Sequence, residues 1–370
     1  MKKSLIALAV LSATGASFAQ SSVNVYGIAD VYFGSTRSTG APTQTVVDSG
    51  GVDTSRFGFK GTEDLGGGLK ANFLLEQGFS MDSGASGSTG STFSSWKAAS
   101  DKLAGIANPT KAQLQSAADA KAAAEKGQMF SRQAYVGFSG NFGEVKLGKM
   151  FTPYDDTKGV ANAVFDSGLS PQINVWLSES YAANPGSSVY YATPNISGFS
   201  GALSYSLGEN KDIPTVGVDA GSVTSLRAQY EGGPLYAGFA YQTEKATGDA
   251  KSLNFTRLNA TYDLGVVKVL AGYGFVSQDA VVGETQETNE WQIGVDYPVS
   301  STLKLSGGFA RSSDNAAKGE QVRSGYGLGA SYSLSKRTVV YGGYQSSTKD
   351  KIATGDVDTS LVAVGINHKF

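Results

Sequence analysis

The chain has 370 residues, with 30 basic and 32 acidic side chains, one histidine and no cysteine. This near-neutral balance offers no basic surface for nucleic acid, and a chain without cysteine cannot be a scaffold held together by disulfides. Neither feature separates a soluble protein from a membrane protein, but the pattern of polar and apolar residues along the chain can.

The first residues have the three-part pattern of a secretory signal peptide. Two lysines precede an apolar run from Leu5 to Leu11, and small residues ending at Ala19 follow. The pattern predicts cleavage before Gln20, which makes residues 1–19 a signal peptide and residues 20–370 the mature protein. Past the signal, no apolar run approaches the ~20 residues that a membrane-spanning helix needs.

The stretch SRFGFKGTEDLGGGLKANFLLEQGF, Ser55 to Phe79, alternates polar and apolar side chains on both sides of a turn at Glu63–Gly68. Period two is typical of strands with one wet face and one apolar face. The polar face carries Arg56, Lys60, Lys70 and Glu76, and the apolar face carries Phe57, Phe59, Phe73 and Leu75.

Similar stretches of about ten residues recur to the end of the chain and number about sixteen, an even count typical of bacterial outer-membrane barrels. Short turns such as Gly140–Gly143 and Leu334–Arg337 interleave with longer loops rich in Gly, Ser and Asp. We therefore expect an all-β fold, a 16-stranded antiparallel transmembrane β-barrel.

Two connections differ from the others. Ser80–Gln128 begins with a flexible composition and continues with helix-forming residues from 95 to 127, which predicts a helical insertion in the second outer loop. The insertion is either a solvated decoration or a latch onto a neighbouring subunit. Phe151–Ser187 lacks alternation and is acidic, and a long loop of this kind can fold into the lumen and narrow it.

Alternation also predicts which basic side chains line water. A Lys or Arg facing lipid at mid-depth costs about 2 to 4 kcal/mol, so a large set of them is expected to face inward. Besides Arg56, Lys60 and Lys70, the residues in the lumen phase are Arg227, Arg257, Lys304 and Arg323.

No catalytic or metal centre is evident. The single histidine, His368, shares the phase of the apolar residues Val364, Ile366 and Phe370, which is the lipid or interface face. Gly66–Gly68 lacks the Lys-Ser/Thr and the helix of a phosphate loop, and no metal-ligand spacing occurs. We expect no cofactor, no bound metal and no enzymatic activity.

Two long motifs, the hairpin from Ser55 and FSRQAYVGFSGNFGEVKLGK from Phe130, together with SSVNVYGIAD and the terminal Phe370, resemble the general trimeric porins of beta-proteobacteria. The similarity spans essentially the whole mature chain. It implies a homotrimer of sixteen-stranded barrels in the outer membrane, with the third outer loop folded inward as a constriction.

The resemblance also implies a basic wall opposite acids at the constriction. Carried over by position, Arg56 and Arg132 are basic wall residues, and Glu76, after FLL, is an acidic residue of the constriction; Lys60 and Arg323 join the basic wall by phase. The third loop supplies Asp155, Asp156 and Asp166 as the opposing acids. Many relatives carry another Arg before SVYYATP, where this chain has Asn184, which argues against strong anion selectivity.

The expected function is a general diffusion porin that passes small hydrophilic solutes and ions, with weak charge selectivity. Outer-membrane lipid, lipopolysaccharide and further copies of the chain are the expected partners, and nucleic acid is not. Alternatives are a channel that prefers one substrate, such as an organic acid, and a barrel adhesin or receptor.

Overall fold

The computed structural model describes residues 22–87, 129–208, 221–245, 252–278, 284–350 and 355–370. The predicted signal peptide and the predicted helical insertion 95–127 lie outside these ranges. None of the helices in the described ranges is long and apolar enough to cross a membrane.

The described ranges form seventeen strand segments. In chain order they are β1 Ser22–Ser38, β2 Gln44–Ser49, β3 Arg56–Gly66, β4 Leu69–Gly78, β5 Gln133–Gly140, β6 Gly143–Lys149, β7 Ser188–Ala192, β8 Phe199–Leu207, β9 Ser222–Gly232, β10 Leu235–Lys245, β11 Ser252–Asp263, β12 Lys268–Gln278, β13 Gln286–Pro298, β14 Leu303–Asp314, β15 Val322–Ser333, β16 Thr338–Lys349 and β17 Val357–Lys369. One short α-helix, α1 Pro171–Val175, and three 3₁₀ turns, Asp155–Thr157, Leu177–Glu179 and Ala316–Lys318, accompany them.

The seventeen segments occupy sixteen positions around a closed barrel. Both β2 and β3 pair with β1. The segment β3 pairs with the first half of β1, Ser22–Ile28, and β2 pairs with the second half, Val31–Thr36, so β2 and β3 together form one interrupted strand. All pairs are antiparallel, and β1 pairs with β17 to close the sheet. The last residue completes this seam, since the backbones of Gly27 and Phe370 exchange two hydrogen bonds of 3.0 Å. The predicted sixteen-stranded barrel is confirmed.

Side chains alternate around the wall as the sequence predicts. Trp291 is 45% exposed on the outer face, whereas its neighbour Glu290 is fully buried on the inner face. Short turns join the strands at one end and longer loops at the other, which identifies the periplasmic and outer ends. The turn between β3 and β4 is tighter than the predicted turn at Glu63–Gly68. Strand β3 continues to Gly66, and the three consecutive glycines Gly66–Gly68, all with positive φ, reverse the chain.

The third outer loop, residues 150–187, lies inside the barrel. Its backbone N–H groups at Tyr154 and Val164 donate to the hydroxyls of Ser225 and Ser306, at 2.9 and 2.7 Å. Glu290 accepts from the N–H groups of Leu177 and Ser178 at 2.5 and 3.1 Å. Glu290 and Ser306 alternate with the exposed residues Trp291 and Leu305 on the outer face, so the loop contacts the polar, inner face. The expected inward fold of this loop is observed.

Glycines on the inner face of β13 to β15 let the loop approach the wall backbone. A Cβ added at Gly294 or at Gly308 would lie 2.6 Å from the Cβ of Ala163 in the loop, closer than two carbons can approach. A Cβ at Gly329 would lie 2.6 Å from Val164. These glycines, with Gly327 beneath Leu169, form a seat for the loop that strand periodicity alone did not reveal.

The interruption between β2 and β3, residues 50–55, is also fixed to the inner wall. The carboxylate of the buried Asp30 accepts hydrogen bonds from the N–H groups of Gly51 and Asp53, at 2.8 and 3.1 Å. The Tyr341 hydroxyl and the Asn367 amide donate to the same carboxylate, at 2.6 and 2.8 Å. The interruption between β2 and β3 is thus held across the barrel seam.

Replacing Gly308 by Val should unseat the third loop. The added side chain would overlap Ala163, and overpacking of this kind typically costs about 1–3 kcal/mol of folding free energy. The loop should therefore shift away from the wall. Single-channel recording should show a conductance altered from that of the wild type, with more open-channel noise. Gly307→Val is the matched control, because the only close contact of a Cβ at that position is with the flexible end of the Leu328 side chain, at 2.8 Å on the outer face. Wild-type recordings from Gly308→Val would contradict the seat.

Candidate functional site in the barrel lumen

Three predicted site residues form one cluster on the wall. Glu76 in β4 is 5% exposed and accepts a hydrogen bond from the Nε of Arg132 at 2.7 Å, while the Nε of Arg56 lies 3.6 Å from its other oxygen. The Tyr26 hydroxyl donates to Glu76 at 2.8 Å, and Asp53 lies 3.4 Å from Arg56. Glu76 therefore lies within the basic wall, between the two arginines, rather than across the lumen from them.

Lys60 extends the wall toward the periplasm. It lies four residues from Arg56 along β3, which is about 13 Å of strand. Its side chain is exposed to the lumen, and its Nζ lies 5.0 Å from the centre of the Tyr26 ring. No ion pair to Lys60 occurs in the described ranges, so its charge is less compensated than those of Arg56 and Arg132.

Both ends of the third loop contact Arg132. Its guanidinium lies 5.1 Å from the centre of the Phe151 ring at the start of the loop. At the end of the loop, the Asn184 amide donates to the backbone carbonyl of Arg132 at 2.8 Å. Asn184, near the position at which the resemblance implies another Arg in many relatives, is therefore adjacent to the cluster and supplies a hydrogen bond without a charge.

The three predicted loop acids have separate partners. Asp156 accepts from the Nε of Arg227 at 3.1 Å and from the Tyr190 hydroxyl at 2.7 Å, Asp155 accepts from the Tyr181 hydroxyl at 2.5 Å, and Asp166 accepts from the Asn162 amide at 2.6 Å. No ion pair in the described part of the chain joins these acids to Arg56, Lys60 or Arg132. The wall cluster and the loop acids are thus two charged groups with separate partners: Glu76 offsets Arg56 and Arg132, and Arg227 of β9 offsets Asp156.

Enclosure by the barrel changes the protonation of the loop acids. Burial raises the pKa of Asp166 to about 6, against the opposing attraction of Lys158. Burial likewise raises the pKa of Asp155, with Lys158 and the Tyr181 hydroxyl acting in the opposite direction. Burial would lower the pKa of Lys158, but Asp166 and Glu179 outweigh it and raise that pKa. The negative charge of the loop should therefore fall as the pH drops below neutral.

Arg257 was expected to face water, but the third loop covers it completely. Its Nη2 donates to Glu179 of the loop at 2.8 Å, and its guanidinium lies 4.4 Å from the centre of the Tyr154 ring and 5.5 Å from that of Tyr181. Removing one partner of such a buried pair typically costs 3–5 kcal/mol, because a charge is left uncompensated. Arg257 anchors the loop, a role that the period-two pattern could not distinguish from lining the pore.

Arg323 lies away from the other predicted wall residues. It makes a two-point contact with Asp314, with Nη1 and Nη2 at 3.1 and 2.8 Å, and the Nζ of Lys318 lies 3.7 Å from the same carboxylate. Asp314, Lys318 and Arg323 flank the connection between β14 and β15 at the outer end of the barrel. The phase placed Arg323 on the inner face correctly, while its partner Asp314 was not foreseen.

The single histidine and the acidic residues form no catalytic or metal site in the part of the chain that the structure describes. His368 is on the outer face at the periplasmic end, and its Nδ1 lies 2.9 Å from the Thr338 hydroxyl. Among the residues described, no three His, Cys, Asp or Glu side chains are grouped so as to hold a metal ion.

A family model described as Gram-negative porin matches residues 5–352. The chain belongs to the Gram-negative porin family. Outer membrane porin protein 32 of Delftia acidovorans is 31% identical to this porin over 401 aligned residues that cover all of both chains. An outer membrane porin protein of Bordetella pertussis is 26% identical, again over the whole of both chains. These relatives place it with porins of the beta-proteobacterial type.

The fold agrees with solved porin structures. The anion-selective porin from Comamonas acidovorans superposes with a TM-score of 0.73 and 25% identity, covering 95% of this chain and 100% of that one. The trimer form of OmpT from Vibrio cholerae superposes with a TM-score of 0.64 at 15% identity, a similarity that supports the fold alone. The protein is an outer-membrane channel for the diffusion of small solutes, in a family of channels rather than enzymes.

Acidification should shift the ion preference of this porin toward anions. Between pH 7 and pH 5, Asp166 crosses its pKa of about 6 and takes up a proton, so the lumen loses negative charge. The zero-current potential in a planar bilayer under a salt gradient should move toward the anion side.

Asp166→Asn should already be displaced toward the anion side at pH 7 and should respond less to acid. Asp350→Asn removes an exposed carboxylate at the outer rim and should keep the wild-type response. An equal pH response in wild type and Asp166→Asn would exclude Asp166 as the titrating group.

Proposed function

We propose that this porin is a general diffusion channel with a weak preference for anions, set by the wall cluster of Arg56 and Arg132 together with Lys60. The observation that carries the proposal is the arrangement around Glu76, where two lumen-facing arginines share one carboxylate. Lys60 then adds a positive charge that has no ion pair in the described ranges.

The acids of the third loop offset this field only in part. Asp156 is paired with Arg227, and burial raises the pKa values of Asp155 and Asp166, which lowers their mean negative charge. Two unit charges 4 Å apart interact by about 1 kcal/mol in bulk water and about 4 kcal/mol at an effective dielectric near 20. Screening acts over about 8 Å at physiological salt, so the preference should be modest and should weaken as salt rises.

Arg323 makes a smaller contribution in this proposal. Its charge is compensated by Asp314 at 2.8 Å, and the pair lies toward the outer mouth. We therefore assign Arg323 to holding the connection between β14 and β15. The relative described as an anion-selective porin supports the same sign of selectivity.

The channel acts without a cofactor and without catalysis, as three copies embedded in outer-membrane lipid and lipopolysaccharide. Trimeric porins share this fold, and the outer wall presents apolar side chains around the barrel that suit lipid or a second copy. Solutes cross down their gradients and are sorted by size and by charge.

Replacing both Arg56 and Arg132 by Ser should raise cation permeability relative to the wild type. The change removes two positive charges and leaves Glu76 without its two compensating cations, so the net charge of these three residues changes from positive to negative. The measurement is the zero-current potential of the reconstituted channel under a salt gradient, at low and at high salt.

Lys336→Ser/Arg337→Ser is the matched control. It also removes two positive charges, but from the exposed turn between β15 and β16 at the periplasmic end. An unchanged ion preference in Arg56→Ser/Arg132→Ser would remove the wall cluster from the filter. A single solute that blocks conductance in a saturable way would point instead to a channel with a preferred substrate.

A further inference from the structure

A two-point ion pair ties the connection between β14 and β15 to the barrel wall. Arg323 in β15 donates from Nη1 and Nη2 to the carboxylate of Asp314 in β14, at 3.1 and 2.8 Å, and both side chains are largely buried. The Thr288 hydroxyl donates to the same carboxylate at 2.7 Å, and the Gln321 amide oxygen accepts from Arg323 at 2.8 Å. The guanidinium of Arg323 is therefore held in one orientation.

Arg323 has one further contact, directed toward the middle of the barrel. Its Nη1 lies 3.4 Å from the Ser312 hydroxyl, and that hydroxyl donates to Glu290 at 3.0 Å. Strand register explains the contact, because Glu290, Ser312 and Arg323 lie directly opposite one another on the inner face of β13, β14 and β15. Hydrogen bonds thus link the outer end of the barrel to Glu290.

The chemistry of these groups sets the direction of the hydrogen bonds. A guanidinium can only donate, and an ionised carboxylate can only accept. A serine hydroxyl has a single proton, so the Ser312 oxygen accepts from Arg323 and gives its proton to Glu290. Without Arg323, the Ser312 hydroxyl is free to rotate to another acceptor, and its bond to Glu290 is no longer imposed.

Glu290 is compensated by hydrogen bonds alone. Its carboxylate is fully buried and forms no ion pair within the described ranges. Besides the Ser312 hydroxyl, it accepts from the backbone N–H groups of Leu177 and Ser178 in the third outer loop, at 2.5 and 3.1 Å. A buried carboxylate is costly unless its oxygens are satisfied, so the loss of one donor should weaken the whole arrangement, including the contacts with the loop.

The turn that Glu290 holds is the part of the loop that covers Arg257. Leu177 and Ser178 begin the 3₁₀ turn Leu177–Glu179, and Glu179 pairs with Arg257 at 2.8 Å. Directly before the turn, the Nε1 of Trp176 donates to the backbone carbonyl of Trp291 at 3.3 Å. A displacement at Glu290 would therefore move the Glu179 anchor and, with it, the loop that narrows the channel.

We propose that Asp314 and Arg323 position the third outer loop through Ser312 and Glu290, so that the connection between β14 and β15 controls how firmly the loop is seated. Arg323 is a positioning residue, since it acts on the loop only through the two intervening side chains. The connection itself is exposed at Ala316, so a change at the outer mouth can reach the interior of the channel. The inference concerns the position of the loop and stands apart from the ion preference proposed above.

The test uses full-length variants that carry one spin label on the third loop. The chain has no cysteine, so Ser180→Cys, at an exposed position directly after the turn Leu177–Glu179, gives a single labelling site. The central variant is Ser312→Ala, which removes the linking hydroxyl without changing the charge. Ser347→Ala is the matched control, because the Ser347 hydroxyl also lies on the inner face near the outer end, but it bonds to Thr359 of the wall at 2.7 Å. Retained heat modifiability shows that each barrel is folded.

In Ser312→Ala, the mobile fraction of the loop label should rise about tenfold, as expected from the loss of a hydrogen bond to a charged group. Single-channel recordings of the unlabelled variant should show more open-channel noise than the wild type. Arg323→Gln should have a similar effect on the label. Arg323→Gln/Ser312→Ala should not exceed the larger of the two single effects, because both changes break the same link. Ser347→Ala should behave as the wild type.

Equal mobility of the loop label in Ser312→Ala and Ser347→Ala would overturn the proposal, and so would additive effects of Arg323→Gln and Ser312→Ala. A second label position, Ala316→Cys, reports on the connection itself. Higher mobility there in Arg323→Gln, with an unchanged loop label, would limit Arg323 to holding the connection. If Arg323→Gln does not fold, the comparison of Ser312→Ala with Ser347→Ala still decides. Because Ser312→Ala is neutral in charge, this test can fail while the proposed ion filter stands.

Discussion

The structure depends on one constraint: inside a membrane, each backbone N–H and C=O must find its hydrogen-bond partner within the protein. A sheet satisfies this only when it closes, and here β1 pairs with β17 while the backbones of Gly27 and Phe370 bond to each other. Closure gives every strand one face toward the lumen and one toward the lipid, so alternate side chains take an inside or an outside phase. The wet lumen and the apolar wall follow from that phase, and so does the space that the third loop occupies.

The third outer loop is held to the inner wall by polar anchors and by close packing against glycines. Hydrogen bonds to Glu290 and Ser306 and the buried pair of Arg257 with Glu179 supply polar anchors. Glycines such as Gly294 supply the room for close approach, because any side chain there would collide with Ala163. The loop can therefore lie directly against the inner wall, and the channel is narrowed by a fixed element.

Charged side chains in the lumen are mostly paired with one another. Arg56 and Arg132 share Glu76, and Asp156 pairs with Arg227, so these charges are each offset by a direct neighbour. Fields from such neighbouring opposite charges decay quickly in salt water. This arrangement suits a channel that must admit many small solutes and discriminate only weakly among them.

The sequence by itself determined the period of the wall, the number of strands, the position of the long acidic loop and the inward phase of Arg56, Lys60 and Arg323. These are local properties, since alternation is set by the strand geometry of adjacent residues. Only the tertiary structure decided that Glu76 lies between two arginines and that Arg257 is covered by the third loop. The partners in those contacts are separated by 20 to 78 positions along the chain, and no repeating pattern in the sequence records which of them meet.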